Sequence, residues 1–380
     1  MPALTIGVTI NGASAIASGG NYPLSPGQTV ALMANKAVTW SSSTVDVTLR
    51  STISAATQWS GQVINPTSTQ AAFSITATTG AEATTINFAL APGDTRNGRY
   101  MMFGTNMARY ALTLDFDLNE YSIVTDSNAP GSAIANGTFA SNPGSAGEYV
   151  FNVNAAAGTI NTARFRTGDN AIVGSYPFPG ASSPMSFVAG RQFATSAADF
   201  GSDVDFQIFS REEVAGGSVN SSLFTMRVNG SVQSICVHPG ITVIDACPVA
   251  PLVYDLTFNV DGSIHAVARP PTIDEADVHV ARIGSGWVYL RASADASGLG
   301  RFRIGLPLQS VLSANATGAD SRGNWGAVAA DSTAVAFNGT SPSGATSFGT
   351  GPVIATGTSY PSGLFLFGTA GADQYFIGQS

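Results

Sequence analysis

Charged side chains are scarce in this sequence, and lysine is almost missing. Charged residues make up 11% of the 380 residues, against roughly 25% in ordinary globular chains. Lys36 is the only lysine, no basic run occurs, and the formal net charge is −8. Nucleic acids and anionic membrane surfaces attract clustered Lys and Arg. We therefore predict no nucleic acid partner. The chain also lacks an apolar stretch of transmembrane length, so we predict no direct membrane insertion.

Histidine is scarce too, which removes the residue that most catalytic sites use. His238, His265 and His279 are the only histidines, and they fall on different predicted elements. Neither a G-x-S-x-G elbow nor an H-E-x-x-H pair occurs. The chain has only six glutamates, but the carboxylate pair of a glycosidase is defined in space rather than in sequence. We predict a non-enzymatic protein and keep a carbohydrate-active enzyme as an alternative.

Cys236 and Cys247 are the only cysteines, and Pro239-Gly240 lies between them. Two cysteines on either side of a turn favour a loop closed by a disulfide, which implies an oxidising compartment. Two unpaired buried thiols are the alternative. Zinc is not indicated, because Cys236, His238 and Cys247 match no standard ligand spacing.

Alternating apolar and polar residues recur from end to end, whereas helical periodicity is nearly absent. This alternation is the pattern of half-buried strands, and Gly, Pro, Asn or Asp punctuates almost every gap. The pattern predicts an all-β fold. A polar junction near 96–104 separates a first domain, residues 1–97, from a larger remainder. We divide the remainder into β-rich regions 98–250 and 251–380, which are two domains or one unit.

Two segments of the first domain are similar to segments of a known protein family. Residues 24–32 (LSPGQTVAL) place a Gly-Gln-Thr turn before a strand, and residues 38–43 (VTWSSS) place Trp40 in a following strand. The region resembles bacterial immunoglobulin-like domains, which carry similar segments. That resemblance implies a β-sandwich with Trp40 in its core, acting as a surface or spacer module, and it implies no catalytic residues.

Hairpin signals repeat through the remainder. Asn229-Gly230 and Asp261-Gly262 follow alternating runs and suit two-residue turns, in which φ must be positive. Repeated hairpins predict an antiparallel region closed as a barrel or stacked as a sandwich. The layout loosely resembles uncharacterised β-rich lipoproteins of proteobacteria, and that resemblance implies no site residues.

Asp115, Asp117 and Asn119 have the opening rhythm of an oxygen-ligand loop, which makes them a candidate calcium site. The segment lacks the glycine and the distal glutamate of such loops. The alternative is a strand whose solvent face carries these polar residues, while Leu114 and Leu118 face the core. We predict no other cofactor.

Five aromatic residues are candidates for contact with a ligand: Trp59, Tyr176, Phe178, Trp287 and Trp325. Exposed aromatic rings bind sugars and protein partners. The alternative is that these rings fill barrel ends or sandwich cores.

These observations favour a non-enzymatic bacterial protein that is exported to the cell surface, the periplasm or the extracellular space, including a lipid-anchored form. Its role would be to bind a protein or glycan partner, or to take part in self-assembly. The alternative is a structural protein of a virion or filament, such as a phage tail or decoration subunit. That class shares the β-rich and charge-poor composition. Residues 1–20 lack the basic region and the continuous apolar core of a signal peptide.

Overall fold

The computed structural model is all-β, as the alternating pattern predicted, and its helical turns are two short 3-10 helices. It describes residues 2–44, 47–125, 134–153, 163–168, 170–178, 184–237, 243–284, 286–294, 298–307, 313–331, 335–340, 346–351, 364–369 and 374–379. His238 therefore lies outside the described residues.

The N-terminal strands form two sheets around one apolar core. The first sheet has, in spatial order, β2 (Ala13–Ser14), β1 (Ile6–Ile10), β4 (Thr29–Ala34), β7 (Gln58–Val63) and β6 (Thr48–Ala55). The second has β3 (Tyr22–Leu24), β9 (Glu82–Leu90), β8 (Ala71–Thr79) and β5 (Thr39–Ser42). Residues of both sheets share the core, for example Val30 and Leu32 with Ile75 and Phe88. Trp40 lies in this core.

The next eight strands close a barrel in sequence order. They are β10 (Gly98–Gly104), β11 (Arg109–Asp115), β12 (Glu120–Thr125), β13 (Ala135–Ser141), β14 (Glu148–Phe151), β15 (Arg164–Gly168), β16 (Ala171–Tyr176) and β17 (Met185–Gly190). Aromatic rings pack against one another here: the Phe165 ring lies 5.1 Å from that of Tyr149 and 4.6 Å from that of Phe151. Gly174 faces Phe187 so closely that a Cβ atom would collide with the ring.

A second closed barrel follows, again in sequence order. It contains β18 (Val204–Glu213), β19 (Val219–Asn229), β20 (Val232–Cys236), β21 (Leu252–Phe258), β22 (Ile264–Ala268), β23 (Glu275–Ile283), β24 (Gly286–Ala294) and β25 (Gly300–Pro307). The division drawn at residue 250, where one unit was kept as the alternative, falls between β20 and β21 of this barrel. Hydrogen bonding around a closed sheet leaves no place for a domain boundary there.

The hairpin turns of this barrel agree in part with the turns predicted from the sequence. Gly230 and Gly262 have φ of 56° and 83°, the positive values that the turn residues predicted. The turn after Asn229 is short, since β20 begins at Val232. The turn at Asp261 is longer than predicted, because β21 ends at Phe258 and β22 begins at Ile264.

The last strands form an open six-stranded sheet. Its spatial order is β29 (Thr346–Gly351), β28 (Val335–Thr340), β27 (Trp325–Asp331), β26 (Ser313–Asp320), β31 (Gln374–Gln379) and β30 (Leu364–Thr369). The C-terminal strand β31 is thus paired on both sides. An apolar cluster joins its inner face to both barrels: Ile377 packs with Val188 of β17 and with Leu290 and Ile304 of β24 and β25.

By compactness the chain divides into two units, Met1–Tyr100 with Tyr110–Phe139, and Met101–Arg109 with Ala140–Ser380. The first unit extends beyond residue 97 because the β11–β12 hairpin bonds to it. Gln62 Nε2 donates to Glu120 Oε2 at 2.8 Å, and Asn97 Nδ2 donates to Asp117 Oδ2 at 2.7 Å.

Cys236 and Cys247 form a disulfide, as the sequence predicted. Cys236 ends β20, and Cys247 follows the 3-10 helix Ile244–Ala246. Arg227 on β19 holds that helix against the barrel wall, because its Nη1 donates to Asp245 at 2.8 Å while its Nε donates to Asp205 at 2.6 Å.

We expect the double substitution Cys236→Ser with Cys247→Ser to lower the free energy of unfolding by about 3 kcal/mol, because the disulfide restricts the unfolded loop. Urea unfolding of the two proteins measures the difference. Reduction of the native protein should give the same loss, and no change in midpoint on reduction would contradict the role assigned to this bond.

Candidate functional site

A cleft of about 660 Å³ lies in the N-terminal sandwich. Its lining comes from neighbouring strands β2, β1, β4 and β7, together with Tyr22 of β3. The strand register places Thr9 beside Ala31, and Ala31 beside Ser60. Gly7 stands beside Met33 in the adjacent row. These small residues alternate with core residues along each strand, so they share the opposite face of the sheet and leave a hollow there.

The cleft lining is neutral and rich in hydrogen-bonding groups. Thr9, Ser14 and Ser60 supply hydroxyls, and Gln58 supplies an amide. Trp59 alternates with Gln58 and Ser60 and is 4% exposed, so its ring belongs to the core face of the strand. The complete lining is Ile6, Gly7, Val8, Thr9, Ser14, Ala15, Tyr22, Ala31, Leu32, Met33, Gln58, Trp59 and Ser60. It includes no carboxylate, histidine, lysine or arginine. A cavity of this volume with mixed apolar and polar walls fits a small organic ligand.

The structure separates the five aromatic candidates. Trp59 lines the cleft while also packing in the sandwich core. Tyr176 and Phe178 are buried, and their rings lie 5.7 Å apart. Trp325 is buried as well. Trp287 is half-buried, with its ring 5.2 Å from that of Phe200. Of the five, Trp59 is the one found in the cleft lining.

The candidate calcium residues occupy a hairpin turn. Asp115 Oδ1 accepts hydrogen bonds from the backbone N–H groups of Asp117 and Leu118, at 2.9 and 3.1 Å. Asn119 adopts a left-handed φ of 56° in the same turn. The expectation that Asp115 faces solvent and Leu118 the core is wrong. Asp115 is fully buried because it ends β11, in which every residue from Tyr110 onward is buried on both faces. Leu118 is 47% exposed because residues 116–119 form a turn, so the alternation of the strand does not continue to it. Burial raises the pKa of Asp115.

The two described histidines stand apart. His265 is exposed and pairs with Asp277 at 3.0 Å. His279 is buried between two aromatic rings, 5.1 Å from Phe103 and 5.2 Å from Phe193. Within the described part of the chain, no three His, Cys, Asp or Glu residues come together as a metal site would require.

A buried arginine cluster inside the second barrel was not predicted. Its members are Arg291 on β24, Arg301 and Arg303 on β25, Glu212 on β18, and Asp274 before β23. Asp274 Oδ2 accepts from Arg291 at 3.4 Å, Arg301 at 3.1 Å and the Tyr254 hydroxyl at 3.1 Å. We name these five charged residues the arginine cluster. The alternation Arg301-Phe-Arg303 was its signal in the sequence.

Burial and neighbouring charges shift the pKa values of residues in and beside the arginine cluster. Burial alone would raise the pKa of Glu212, but the charge of Arg303 and its hydrogen bond, 2.7 Å to Glu212 Oε1, lower it. Burial and the neighbouring Asp274 raise the pKa of Tyr254 to about 12, so this phenol stays a donor at neutral pH. Burial lowers the pKa of Arg291, and the charge of Arg303 adds to that effect.

Comparison with known proteins identifies no family for this chain. No family model matches the chain, and no curated protein matches it. Among solved structures, the chain is similar to a DUF4784 family protein from Bacteroides caccae, with 9% identity, 90% of this chain and 95% of that chain covered, and a TM-score of 0.22. A similarity at that TM-score supports no conclusion about fold or function. In the described residues, no helix is both long and apolar enough to span a membrane.

The burial of His279 predicts acid sensitivity. Burial, with the charge of Arg109 adding to it, lowers the pKa of His279 from 6.5 to about 3. Below pH 6.5 the imidazole of His279 therefore binds a proton in the unfolded chain but stays neutral in the folded chain. We expect the free energy of unfolding to fall by about 1.4 kcal/mol per pH unit from this group as the pH drops from about 6.5 to about 3.

Urea unfolding of the native protein and of His279→Phe between pH 7.5 and 4 measures this contribution. Phenylalanine fits between the same two rings and cannot titrate. The stability difference between the two proteins should change across that window and be constant above it. A difference that is independent of pH would contradict the assignment.

Proposed function

We propose that this chain is a non-enzymatic, exported bacterial protein of the cell surface or periplasm, which binds a neutral glycan in the cleft of its N-terminal sandwich. The observation that carries the proposal is the lining of that cleft. Ser14, Ser60 and Gln58 contribute hydroxyl and amide groups to it. The half-buried Tyr22 contributes aromatic surface, and no charged side chain belongs to the lining.

This lining matches the chemistry of a sugar. A sugar ring presents hydroxyls that both donate and accept hydrogen bonds, and an apolar face that packs on an aromatic ring. A charged ligand would find no counter-charge in the cleft, and burying it there would be costly. The volume of about 660 Å³ lies in the range of small-molecule sites and suits a short oligosaccharide.

The disulfide supports the exported location, since such bonds persist in oxidising compartments and are rare in the cytosol. The cleft chemistry supports binding rather than turnover. Glycoside cleavage uses two carboxyl groups that flank the scissile bond, and the lining contributes none. A carbohydrate-active enzyme would therefore need another site.

Ser60→Tyr tests the cleft, because Ser60 belongs to its lining and a phenol ring at this position takes volume that the ligand needs. A neutral glycan array followed by calorimetry on the best hit measures affinity. We expect Ser60→Tyr to weaken binding by about tenfold or more, that is, by at least about 1.4 kcal/mol. The matched control is Ser74→Tyr on β8, a half-buried serine of the other sheet, which should bind as the native protein does.

Unchanged melting temperatures would show that both variants are folded. Equal affinity of Ser60→Tyr and Ser74→Tyr would exclude this cleft as the site. Absence of any neutral glycan among the hits would overturn the proposed function.

A structural subunit of a virion or filament is the second proposal. The observation in its favour is the open C-terminal sheet, in which β29 and β30 are the outermost strands among the residues that the structure describes. Such edges can add a strand from another copy. Light scattering over a range of concentrations should then show ordered assemblies, and a monomer at every concentration would count against it.

A further inference from the structure

We propose that the sandwich cleft selects sugars that carry an acetamido group, the substituent of an N-acetylhexosamine, and that this group lies over the backbone of Gly7 on β1. The inference rests on the proposed glycan-binding function and names the class of glycan. Three observations carry it: a strand glycine that no described contact requires, an open half of the β1 edge, and an exposed methionine beside the glycine.

Gly7 lies in the middle of β1 and lines the cleft. A glycine inside a strand weakens it and usually marks a positive φ, a bulge, or the close approach of a backbone or a ligand. Gly7 has no positive φ, and the register of β1 with β4 is regular from Ile6 to Ile10. Among the described residues, a Cβ atom at Gly7 would meet only the backbone oxygen of Met33, at an ordinary 3.8 Å. The close approach of a ligand is the explanation that is left.

The edge of β1 beside this glycine is open. Asn35 N donates to Thr5 O at 3.2 Å across β1 and β4. Because backbone groups alternate in direction along an antiparallel pair, the N–H and C=O of Ile6 point away from β4, to the side of β2. β2 pairs with β1 at Thr9 and Ile10, so in the described part of the chain no strand covers Ile6 on that side. Since Ile6 belongs to the cleft lining, its N–H can donate to a ligand.

An acetamido group matches these features. It has a flat amide, whose oxygen accepts hydrogen bonds, and a terminal methyl group. In the proposed position its oxygen accepts from the N–H of Ile6, and the amide occupies the space where a side chain on Gly7 would stand.

The methyl group of the acetamido substituent then reaches Met33. This side chain is apolar and yet 59% exposed, and it stands directly beside Gly7 in the strand register. Covering exposed apolar surface with the methyl group favours binding. A hydroxyl in place of the acetamido group has no methyl and is too short to contact both Ile6 and Met33.

Chitobiose and cellobiose test the selectivity. The two neutral disaccharides share their linkage and differ in carrying an acetamido group or a hydroxyl next to the anomeric carbon of each ring. Calorimetry on the full chain measures both affinities, and we expect chitobiose to bind about tenfold more tightly or better. Equal affinity, tighter binding of cellobiose, or no binding of chitobiose would overturn the inference. The glycan proposal would fall only if no neutral glycan of the array bound, so the two failures are distinguishable.

Gly7→Val tests the position. A β-branched side chain suits a strand and has room here, so we expect the urea midpoint to be unchanged or higher. The same side chain takes the place of the acetamido group, so chitobiose should bind at least about tenfold more weakly. The matched control is Thr29→Val, at an exposed position of β4 outside the cleft lining, which should bind as the native protein does. Equal affinity in the two variants would refute the placement over Gly7.

Ile6→Pro tests the hydrogen bond, because it removes the N–H that would donate to the acetamido oxygen. Proline is tolerated on an edge strand where the lost N–H does not belong to the ladder. We expect Ile6→Pro to lose the preference for chitobiose over cellobiose, and Ile6→Val, which keeps the N–H, to retain it. A retained preference in Ile6→Pro would contradict the assigned hydrogen bond. If Ile6→Pro does not fold, the disaccharide comparison and Gly7→Val still decide the inference.

Discussion

The outer faces of β24 and β25 are buried, and much of the second unit depends on this constraint. Val288, Leu290, Phe302 and Ile304 lie on these faces and pack with strands of both barrels and with the C-terminal sheet. A strand in an antiparallel sheet ordinarily turns its polar residues outward to solvent. Here the outward positions are occupied by apolar contacts, so the polar positions that alternate with them face the lumen. The inward orientation of Arg291 and Arg303 is a direct consequence.

The interiors of the two barrels are filled by different kinds of side chain. Described residues of the first, such as Phe151, Phe165 and Phe187, fill space with aromatic rings, and such rings need only stack. The second fills one part of its lumen with apolar side chains and the other with charges that must be paired. Ion pairs and their hydrogen bonds are directional, so an incomplete set leaves donors or acceptors without partners.

The sandwich cleft and the arginine cluster differ in their chemistry. The cleft has hydroxyls and aromatic surface without charge, and the cluster has charge in a low-dielectric lumen. Neither resembles a catalytic centre in its described residues. His279, whose pKa is lowered by burial, is enclosed by Phe103 and Phe193.

The sequence by itself determined the all-β class, the positive φ at Gly230 and Gly262, and the disulfide, because alternation, turn residues and cysteine spacing act over short distances. Trp40 in the sandwich core was predictable for the same reason. Tertiary structure alone decided which face of a strand is buried. The arginines turned inward because alternation fixes that two faces of a strand differ but leaves open which one meets another sheet. Asp115 and Leu118 departed from expectation because both faces of β11 are buried and the strand ends at Asp115, before Leu118. Barrel closure across residue 250 depended on pairing between β18 and β25, strands far apart in the chain.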